Sequence, residues 1–136
     1  MKLKHARIVT ADVPALAKFY QEITRIKPEG SNDYLEFRTP EGSFAISSQQ
    51  KMEEHGASAT APRANRSMVL DFEVEDVDKE YARLRHIVNE FVLHPKDQPW
   101  GNRSMLFRDP DGNLVNFFSP RQKVTAHKDL EHAKVQ

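Results

Sequence analysis

Two short segments of the chain carry charged side chains at alternate positions, where a strand places them on one face. Asp71 and Glu73 are two residues apart, and so are His5 and Arg7. Carboxylates spaced in this way lie about 6–7 Å apart along a strand. Such a pair can act as general acid and base, and with the imidazole of His5 it offers three donors to a divalent cation. No nucleophile or cofactor motif accompanies them, so acid–base chemistry, a metal site and plain charge pairing with Arg7 stay open.

The only tryptophan, Trp100, lies in a polar loop that ends at Arg103. An aromatic plate beside a guanidinium group suits a flat or anionic small molecule. Trp100 is equally suited to cover the open end of a sheet as an apolar side chain. The sequence leaves both interpretations of this loop open.

Composition excludes several classes of function. The 136 residues contain no cysteine, which rules out disulfides, zinc–thiolate sites and thiol nucleophiles. The 20 basic and 20 acidic residues balance, so we expect no nucleic acid partner. No apolar run approaches transmembrane length. We therefore expect a cytoplasmic protein that has no membrane partner.

An internal repeat organises the chain. The pattern Arg-x-Pro-x-Gly begins at Arg38 and again at Arg108, and an apolar, strand-like run follows each copy. Proline favours a tight turn, and glycine takes the positive φ that the turn then needs. Asp12-Val13 and Asp76-Val77 each link a strand to a helix. The sequence therefore predicts one supersecondary unit built twice, with the space between the copies as the natural place for a site.

Hydrophobic periodicity and turn residues predict a strand, a helix and three strands in each copy. The first copy has strands at 3–10, 25–28, 34–38 and 44–48 and a helix at 13–23, and the second has strands at 67–75, 91–94, 103–108 and 114–119 and a helix from 77 to about 88. The predicted domain, 1–120, comprises module one at 1–49, a linker at 50–66 and module two at 67–120. The segment 121–136 is expected to form a tail or short helix. This order favours the α+β class, with helices on one face of each sheet.

Three segments carry a resemblance to a known family: His5 with Asp12 and Phe19-Tyr20, then residues 72–78, and most specifically residues 107–114, Phe-Arg-Asp-Pro-Asp-Gly-Asn-Leu. Over roughly residues 1–120 the chain resembles the vicinal oxygen chelate superfamily, which includes glyoxalase I, extradiol dioxygenases and fosfomycin- and bleomycin-resistance proteins. The resemblance implies two βαβββ modules whose curved mixed sheets surround a central cavity, with the helices on the outer face.

In metal-dependent members of that superfamily, the ligands come from the first and last strands of each module. The resemblance assigns those places to His5, Ile46, Val69 (Ser67 in an alternative register) and Asn116. Only His5 is a strong ligand, because a divalent cation needs converging carboxylates or imidazoles. We therefore expect no metal cofactor at the usual place. A divalent metal ion held by His5 with Asp71 or Glu73 is the alternative.

Counting from the repeated turns places Ile46 and Ser48 on the face that corresponds to Asn116 and Phe118. His5 is also suited to a purely structural role, bonded to a neighbouring carboxylate. The predicted ligand-binding residues are His5, Arg7, Ile46, Ser48, Val69, Asp71, Glu73, Trp100, Arg103, Asn116 and Phe118.

Three classes of function follow. The leading hypothesis is a glyoxalase/bleomycin-resistance-like protein that binds a small organic molecule as a homodimer, without the usual catalytic metal. Bleomycin is not favoured as the ligand, because binders of cationic drugs tend to be acidic and this chain is neutral. The alternative is a divalent-metal-dependent lyase, isomerase or dioxygenase that uses His5 with a rearranged ligand set. The third is an interaction or regulatory module that uses the tail.

Overall fold

The computed structural model describes residues 1–54, 56 and 59–120. Within them the predicted order of a strand, a helix and three strands occurs twice, and the α+β class is confirmed. The predicted tail or short helix at 121–136 lies outside the described residues. None of the helices in the described part of the chain is long and apolar enough to cross a membrane.

The chain divides into two compact units. Unit one is Met1–Ser67 with Asp109–Asn113, and unit two is Met68–Arg108 with, among the described residues, Leu114–Pro120. Unit one contains β1 (Ala6–Thr10), α1 (Val13–Thr24), β2 (Glu29–Gly30), β3 (Tyr34–Arg38), β4 (Ser43–Ser48) and α2 (Gln49–Glu53). Unit two contains β5 (Val69–Glu73), α3 (Val77–Leu84), β6 (Phe91–Asp97), β7 (Asn102–Arg108) and β8 (Leu114–Pro120). The predicted cavity between the two copies stays a prediction.

Each unit is built on one mixed sheet of four strands. The strand order is β1-β4-β3-β2 in unit one and β5-β8-β7-β6 in unit two. The first strand of each copy pairs in parallel with the last, and the other neighbours are antiparallel. Helix α1 or α3 forms the crossover between the first strand and the rest, as a parallel connection requires.

Helix α1 begins where the sequence predicts. The Asp12 carboxylate accepts a hydrogen bond from Ala15 N at 3.1 Å, and a proline occupies the first turn, where its missing N–H costs nothing. Its buried side chains recur at helical spacing: Val13, Leu16, Ala17, Phe19, Tyr20 and Ile23. Among them, the Tyr20 ring contacts Phe37 and Phe44, whose own rings stack 4.8 Å apart. Full burial of such a side chain contributes roughly 1.5–3 kcal/mol.

Unit two repeats this construction with a shorter helix. The Asp76 carboxylate accepts from Lys79 N at 3.1 Å, and Val77 and Leu84 are the buried positions of α3. The core below the helix is formed by Met105, Phe107, Val115 and Phe117. Asp12 and Asp76 therefore do what the sequence predicts of them, since each supplies the first unpaired helix N–H groups with an acceptor.

Several boundary predictions are wrong. The first strand begins at Ala6 rather than at residue 3, α3 ends at Leu84 rather than near residue 88, and β6 continues to Asp97 rather than ending at 94. The short strand expected at 25–28 is at Glu29–Gly30, because Arg25 adopts the left-handed conformation that ends α1, with φ of 60°.

The predicted linker at 50–66 starts as a helix instead. The Ser48 side chain accepts from Lys51 N at 2.9 Å and caps α2. The polar composition of the segment favoured a linker, although its first residues form this helix.

Candidate functional site

The two Arg-x-Pro-x-Gly turns differ in length by one residue. Arg38 pairs with Ser43 across turn one, which is residues 39–42, whereas Arg108 pairs with Leu114 across turn two, which is residues 109–113. Every residue after turn two is therefore displaced by one position relative to the first copy. Because strand side chains alternate between faces, a displacement of one residue moves each of them to the other face.

This extra residue overturns one sequence assignment. Ile46 pairs with Ile8 and lies on the same face as Phe44, whose ring contacts Tyr20 of α1 at 5.0 Å. Ser48 follows on that face and caps α2. The prediction that Ile46 and Ser48 share the face of Asn116 is wrong, since Asn116 pairs with Asp71 on the face opposite α3.

On the face of the unit one sheet opposite α1, polar side chains from β1 and β3 meet. Arg7 pairs with Ala45, and Tyr34 pairs with Ser47, so these residues share that face. His5 precedes β1, and its imidazole reaches Tyr34. Sequence reasoning missed Tyr34 and its strand neighbours. The signal was present, because charged and aromatic residues alternate with apolar Leu35 and Phe37 along β3.

A chain of hydrogen bonds runs across this face. The Tyr34 hydroxyl lies 2.8 Å from His5 Nε2 and donates to Glu36 Oε1 at 2.9 Å. The other oxygen of Glu36 accepts from Arg38 Nε at 2.8 Å, and Arg38 Nη2 lies 2.6 Å from it. Glu29 lies 3.7 Å from the same guanidinium group. Hydrogen bonds thus link four side chains, and Glu29 adds an ion pair at one end. The structural role predicted for His5 involves a tyrosine rather than a carboxylate.

Electrostatic interactions determine the charge states of Tyr34 and Glu36. Hydrogen bonds from Arg38 first and then from Tyr34 hold the pKa of Glu36 below its ordinary value. Burial, followed by the hydrogen bond to Glu36, raises the pKa of the Tyr34 phenol, although the positive charges of Arg7 and Arg38 oppose this. At neutral pH the pair is therefore a carboxylate and a neutral phenol.

Two further residues on this face carry polar groups. The Arg7 guanidinium lies 5.8 Å from the centre of the Tyr34 ring, within the range of a cation–π contact, and Nη2 lies 3.7 Å from Met52 Sδ. Ser47 is fully buried, and its Oγ makes no hydrogen bond within the described residues. A buried hydroxyl of this kind is unusual, because most such groups find a partner.

A pocket of about 410 Å³ opens at the end of this face beside turn one. It is lined by Lys4, His5, Glu36, Arg38 and residues 39–43, all of them in unit one. We call it the turn-one pocket. Its lining brings part of the hydrogen-bonded chain together with one predicted site residue, His5.

In unit two, the face opposite α3 brings together the other predicted residues of the sheet. Asn116 Nδ2 donates to Asp71 at 2.9 Å. Val69 and Glu73 lie beside Asp71 on β5, and Phe118 lies beside Asn116 on β8. Asn116 Oδ1 is buried and makes no hydrogen bond within the described residues. The Asn116 amide is thus held in place by the Asp71 carboxylate.

The loop residues predicted for the site do not join this set. Arg103 lies in β7, on the face of the sheet that α3 covers, where its guanidinium contacts Asp78 at 2.8 Å and Asp97 at 3.1 Å. The hydrogen bond to Asp78 raises the pKa of Arg103. Trp100 is 70% exposed. Arg103 and Asn116 therefore lie on opposite faces of the sheet, and a ligand-binding role for Arg103 stays a prediction.

Turn two has its own buried polar cluster inside unit one. Asp109 is buried, and its Oδ1 accepts from the backbone N–H groups of Asp111 and Asn113, each at 2.9 Å. Its Oδ2 accepts from the Tyr20 hydroxyl at 2.6 Å and from the Asn113 side chain at 2.9 Å. Burial first, and the charge of Asp109 next, raise the pKa of Tyr20 well above its ordinary value. This cluster connects turn two to α1 through the hydrogen bond between Tyr20 and Asp109.

Comparison with known proteins identifies the family. Residues 2–117 match the Glyoxalase/Bleomycin resistance protein/Dioxygenase superfamily, and the chain belongs to this superfamily, as the resemblance implied. The uncharacterized protein YraH of Bacillus subtilis (strain 168) is 29% identical over 125 residues, which are 87% of this chain and 98% of YraH. A bleomycin resistance protein of Geobacillus stearothermophilus is 44% identical over 50 residues, 34% of this chain and 36% of that protein.

Solved structures of similar fold agree with this assignment. The crystal structure of a glyoxalase/bleomycin resistance protein/dioxygenase from Nocardioides has a TM-score of 0.72 at 23% identity and covers 92% of this chain and 90% of that chain. At this level of identity the likeness establishes the fold alone. The two βαβββ modules implied by the sequence are therefore confirmed.

Proposed function

We propose that this protein is a member of the superfamily that binds a small organic molecule without the usual catalytic metal. The observation that carries the proposal is the donor set at the positions that the superfamily uses, where His5 is the single strong ligand. Once the extra residue of turn two is allowed for, the place in β4 that corresponds to Asn116 is Ala45, which has no metal-binding side-chain atom and is fully buried.

The remaining donors support the same proposal. Glu36, the carboxylate in the chain with His5, is bound by Arg38 and Tyr34. Asp71 and Asn116 are bonded to each other. Within residues 1–54, 56 and 59–120 there is no group of three or more His, Cys, Asp or Glu side chains that could hold a metal ion. The donor set at the superfamily positions does not fit a divalent cation, which prefers several charged ligands.

A second candidate is a divalent-metal-dependent lyase, isomerase or dioxygenase that uses His5 with a rearranged ligand set. The observation that favours it is the Glu73 carboxylate, which is exposed and forms no hydrogen bond or ion pair within the described residues. An unengaged carboxylate is available as a ligand. The two candidates differ in their metal content, which is directly measurable.

Metal analysis of purified full-length protein separates them. We expect less than one equivalent of divalent metal and no gain in melting temperature on addition of nickel, zinc, manganese or iron. A tightly bound ion would stabilise the folded state by mass action and raise the melting temperature. A stoichiometric metal that is lost together with activity in His5→Ala, but retained in the control His94→Ala, would overturn the proposal in favour of the enzyme.

We also propose that the small-molecule-binding form is a homodimer. Unit two exposes large apolar side chains, among them Val92 at 47% and Trp100 at 70% exposure. Exposed apolar side chains of this size are enriched in protein interfaces. Light scattering should give twice the chain mass for the wild type, and Trp100→Ser should shift the equilibrium towards the monomer. A monomer at all concentrations would contradict it.

A further inference from the structure

The hydrogen-bonded chain on unit one determines where the protons lie. Glu36 is held as a carboxylate by Arg38, and a carboxylate only accepts hydrogen bonds. The single proton of the Tyr34 hydroxyl is therefore donated to Glu36 Oε1 at 2.9 Å. The phenol oxygen then has only lone pairs to offer to His5 Nε2 at 2.8 Å. That contact is a hydrogen bond only if Nε2 carries the proton.

This arrangement selects one tautomer of His5. With the proton on Nε2, the Nδ1 atom of the neutral imidazole is an unprotonated acceptor. Nδ1 forms no hydrogen bond with the described residues, since the one hydrogen bond of the imidazole is made by Nε2. His5 is half-buried and lines the turn-one pocket. The contact between Tyr34 and Nε2 fixes the orientation of the His5 ring. Its unpartnered acceptor, Nδ1, is therefore suited to bind the donor group of a ligand.

We propose that the turn-one pocket binds a small polar molecule through an N–H or O–H group donated to His5 Nδ1, and that Tyr34 and Glu36 are the positioning residues that hold the imidazole in the required tautomer. The proposal rests on the proposed function, because it names the ligand chemistry of a protein that binds small molecules. The ligand would contact Nδ1 of the imidazole, whereas Tyr34 contacts Nε2. A volume of about 410 Å³ admits a molecule of this class.

The tautomer is tested first, on the isotope-labelled full chain. Long-range imidazole nitrogen–proton NMR at a pH where His5 is neutral should show a single tautomer with the proton on Nε2. Tyr34→Phe removes the phenol oxygen and should let part of the population adopt the other tautomer, with the proton on Nδ1. Tyr81→Phe is the matched control, because Tyr81 packs beside another histidine, His94, in unit two, and it should leave the His5 spectrum unchanged. A wild-type His5 protonated on Nδ1, or tautomer populations that Tyr34→Phe leaves unchanged, would overturn the proposal.

Binding is tested with probes that differ only in the donor. N-methylacetamide and phenol carry the N–H or O–H group, whereas N,N-dimethylacetamide and anisole have a methyl group in its place. The two donors should shift the His5 Nδ1 resonance in the wild type, with a severalfold weaker response in Tyr34→Phe, and their methylated counterparts should not. Equal shifts from both members of a pair, or none from either donor, would overturn the inference.

The outcomes separate this inference from the proposed function. A metal-free protein with the wrong tautomer, or without donor-dependent binding, removes the role of His5 Nδ1 and leaves a small-molecule-binding protein. A stoichiometric metal removes the proposed function, whatever tautomer His5 adopts.

Discussion

Turn one and turn two carry the same Arg-x-Pro-x-Gly pattern but are built differently. Turn one has four residues between its paired strand ends and is exposed, with Thr39 Oγ1 accepting from Gly42 N at 3.0 Å. Turn two has five, and Asp109 replaces the threonine with a buried carboxylate that accepts four hydrogen bonds. Gly112 has a φ of 87°, whereas Gly42 does not adopt a positive φ. A shared motif therefore marks two turns without fixing the same register after them.

The difference separates a purely local turn from one that holds tertiary structure together. Turn one is held by local hydrogen bonds between Thr39 and Gly42. The neighbouring Arg38 donates to Glu36 and so belongs to the row of hydrogen-bonded side chains that ends at His5. Turn two reaches Tyr20 in α1, 89 positions away in sequence. The expected effects of substitutions in the two regions therefore differ, and four experiments test the contrast.

The largest effect is expected from Ile46→Asn. Ile46 is fully buried below α1, and replacing it with an amide removes apolar packing and buries an unpaired polar group, at a cost of roughly 4 kcal/mol. Asn116→Ile is the matched control after the other turn. It lies on a half-exposed face and should cost less than about 1 kcal/mol. Urea unfolding measures both, and similar costs would show that the two positions do share a face.

Asp109→Ala is expected to cost about 3 kcal/mol in unfolding free energy. The buried hydroxyl of Tyr20 and the turn donors would lose a charged acceptor, and unsatisfied buried groups are expensive. Thr39→Ala, at the matched position of turn one, removes only an exposed hydroxyl and should cost about 0.5–1 kcal/mol. Equal losses in urea titrations would mean that the two turns contribute alike to stability.

Gly112→Ala tests the backbone of turn two. A Cβ at this position meets Arg66 at 3.7 Å, an ordinary contact, so the cost arises from the positive φ and is expected to be about 1–2 kcal/mol. Gly42→Ala meets no atom within 4 Å and should change the stability by less than about 0.5 kcal/mol. Thermal unfolding of both variants checks this, and a larger loss for the turn-one variant would refute it.

The smallest effect at neutral pH, about 1 kcal/mol, is expected for Tyr20→Phe, which deletes one hydrogen bond to a charged acceptor. Because burial and Asp109 raise the pKa of Tyr20 in the folded state, an unfolded tyrosine releases its proton first, near its ordinary value of about 10. The stabilisation is complete below that pH and is lost as the pH rises through the folded value. The free energy of unfolding of the wild type, measured from neutral to strongly alkaline pH, should therefore fall more steeply above pH 10.

Tyr20→Phe should flatten that alkaline loss of stability. Tyr81→Phe is the control, because its ring packs on Phe91 in unit two rather than on a buried carboxylate, and it should keep the wild-type steepness. If both variants keep it, the protonation of Tyr20 is not coupled to folding.

Much of the fold could be predicted from local patterns. Asp12 and Asp76 were identified as caps because an acceptor must precede the first unpaired N–H groups of a helix. The β3–β4 hairpin could be placed because proline and glycine restrict the turn between two apolar runs. The candidate site could be predicted only in part. Of the hydrogen-bonded side chains on unit one, His5 was among the predicted site residues, whereas Tyr34, which contacts it, and Glu36, which accepts from Tyr34, were not.

The sequence by itself determined the α+β class, the duplicated βαβββ order and the helix starts, because each depends on residues within a few positions of one another. Only the tertiary structure decided which face Ile46 occupies, since that depends on one residue in the length of a turn. It also decided that Tyr20 meets Asp109 and that Tyr34 meets His5. Hydrogen bonds between residues 89 and 29 positions apart depend on how strands pair and helices pack, which no local pattern specifies.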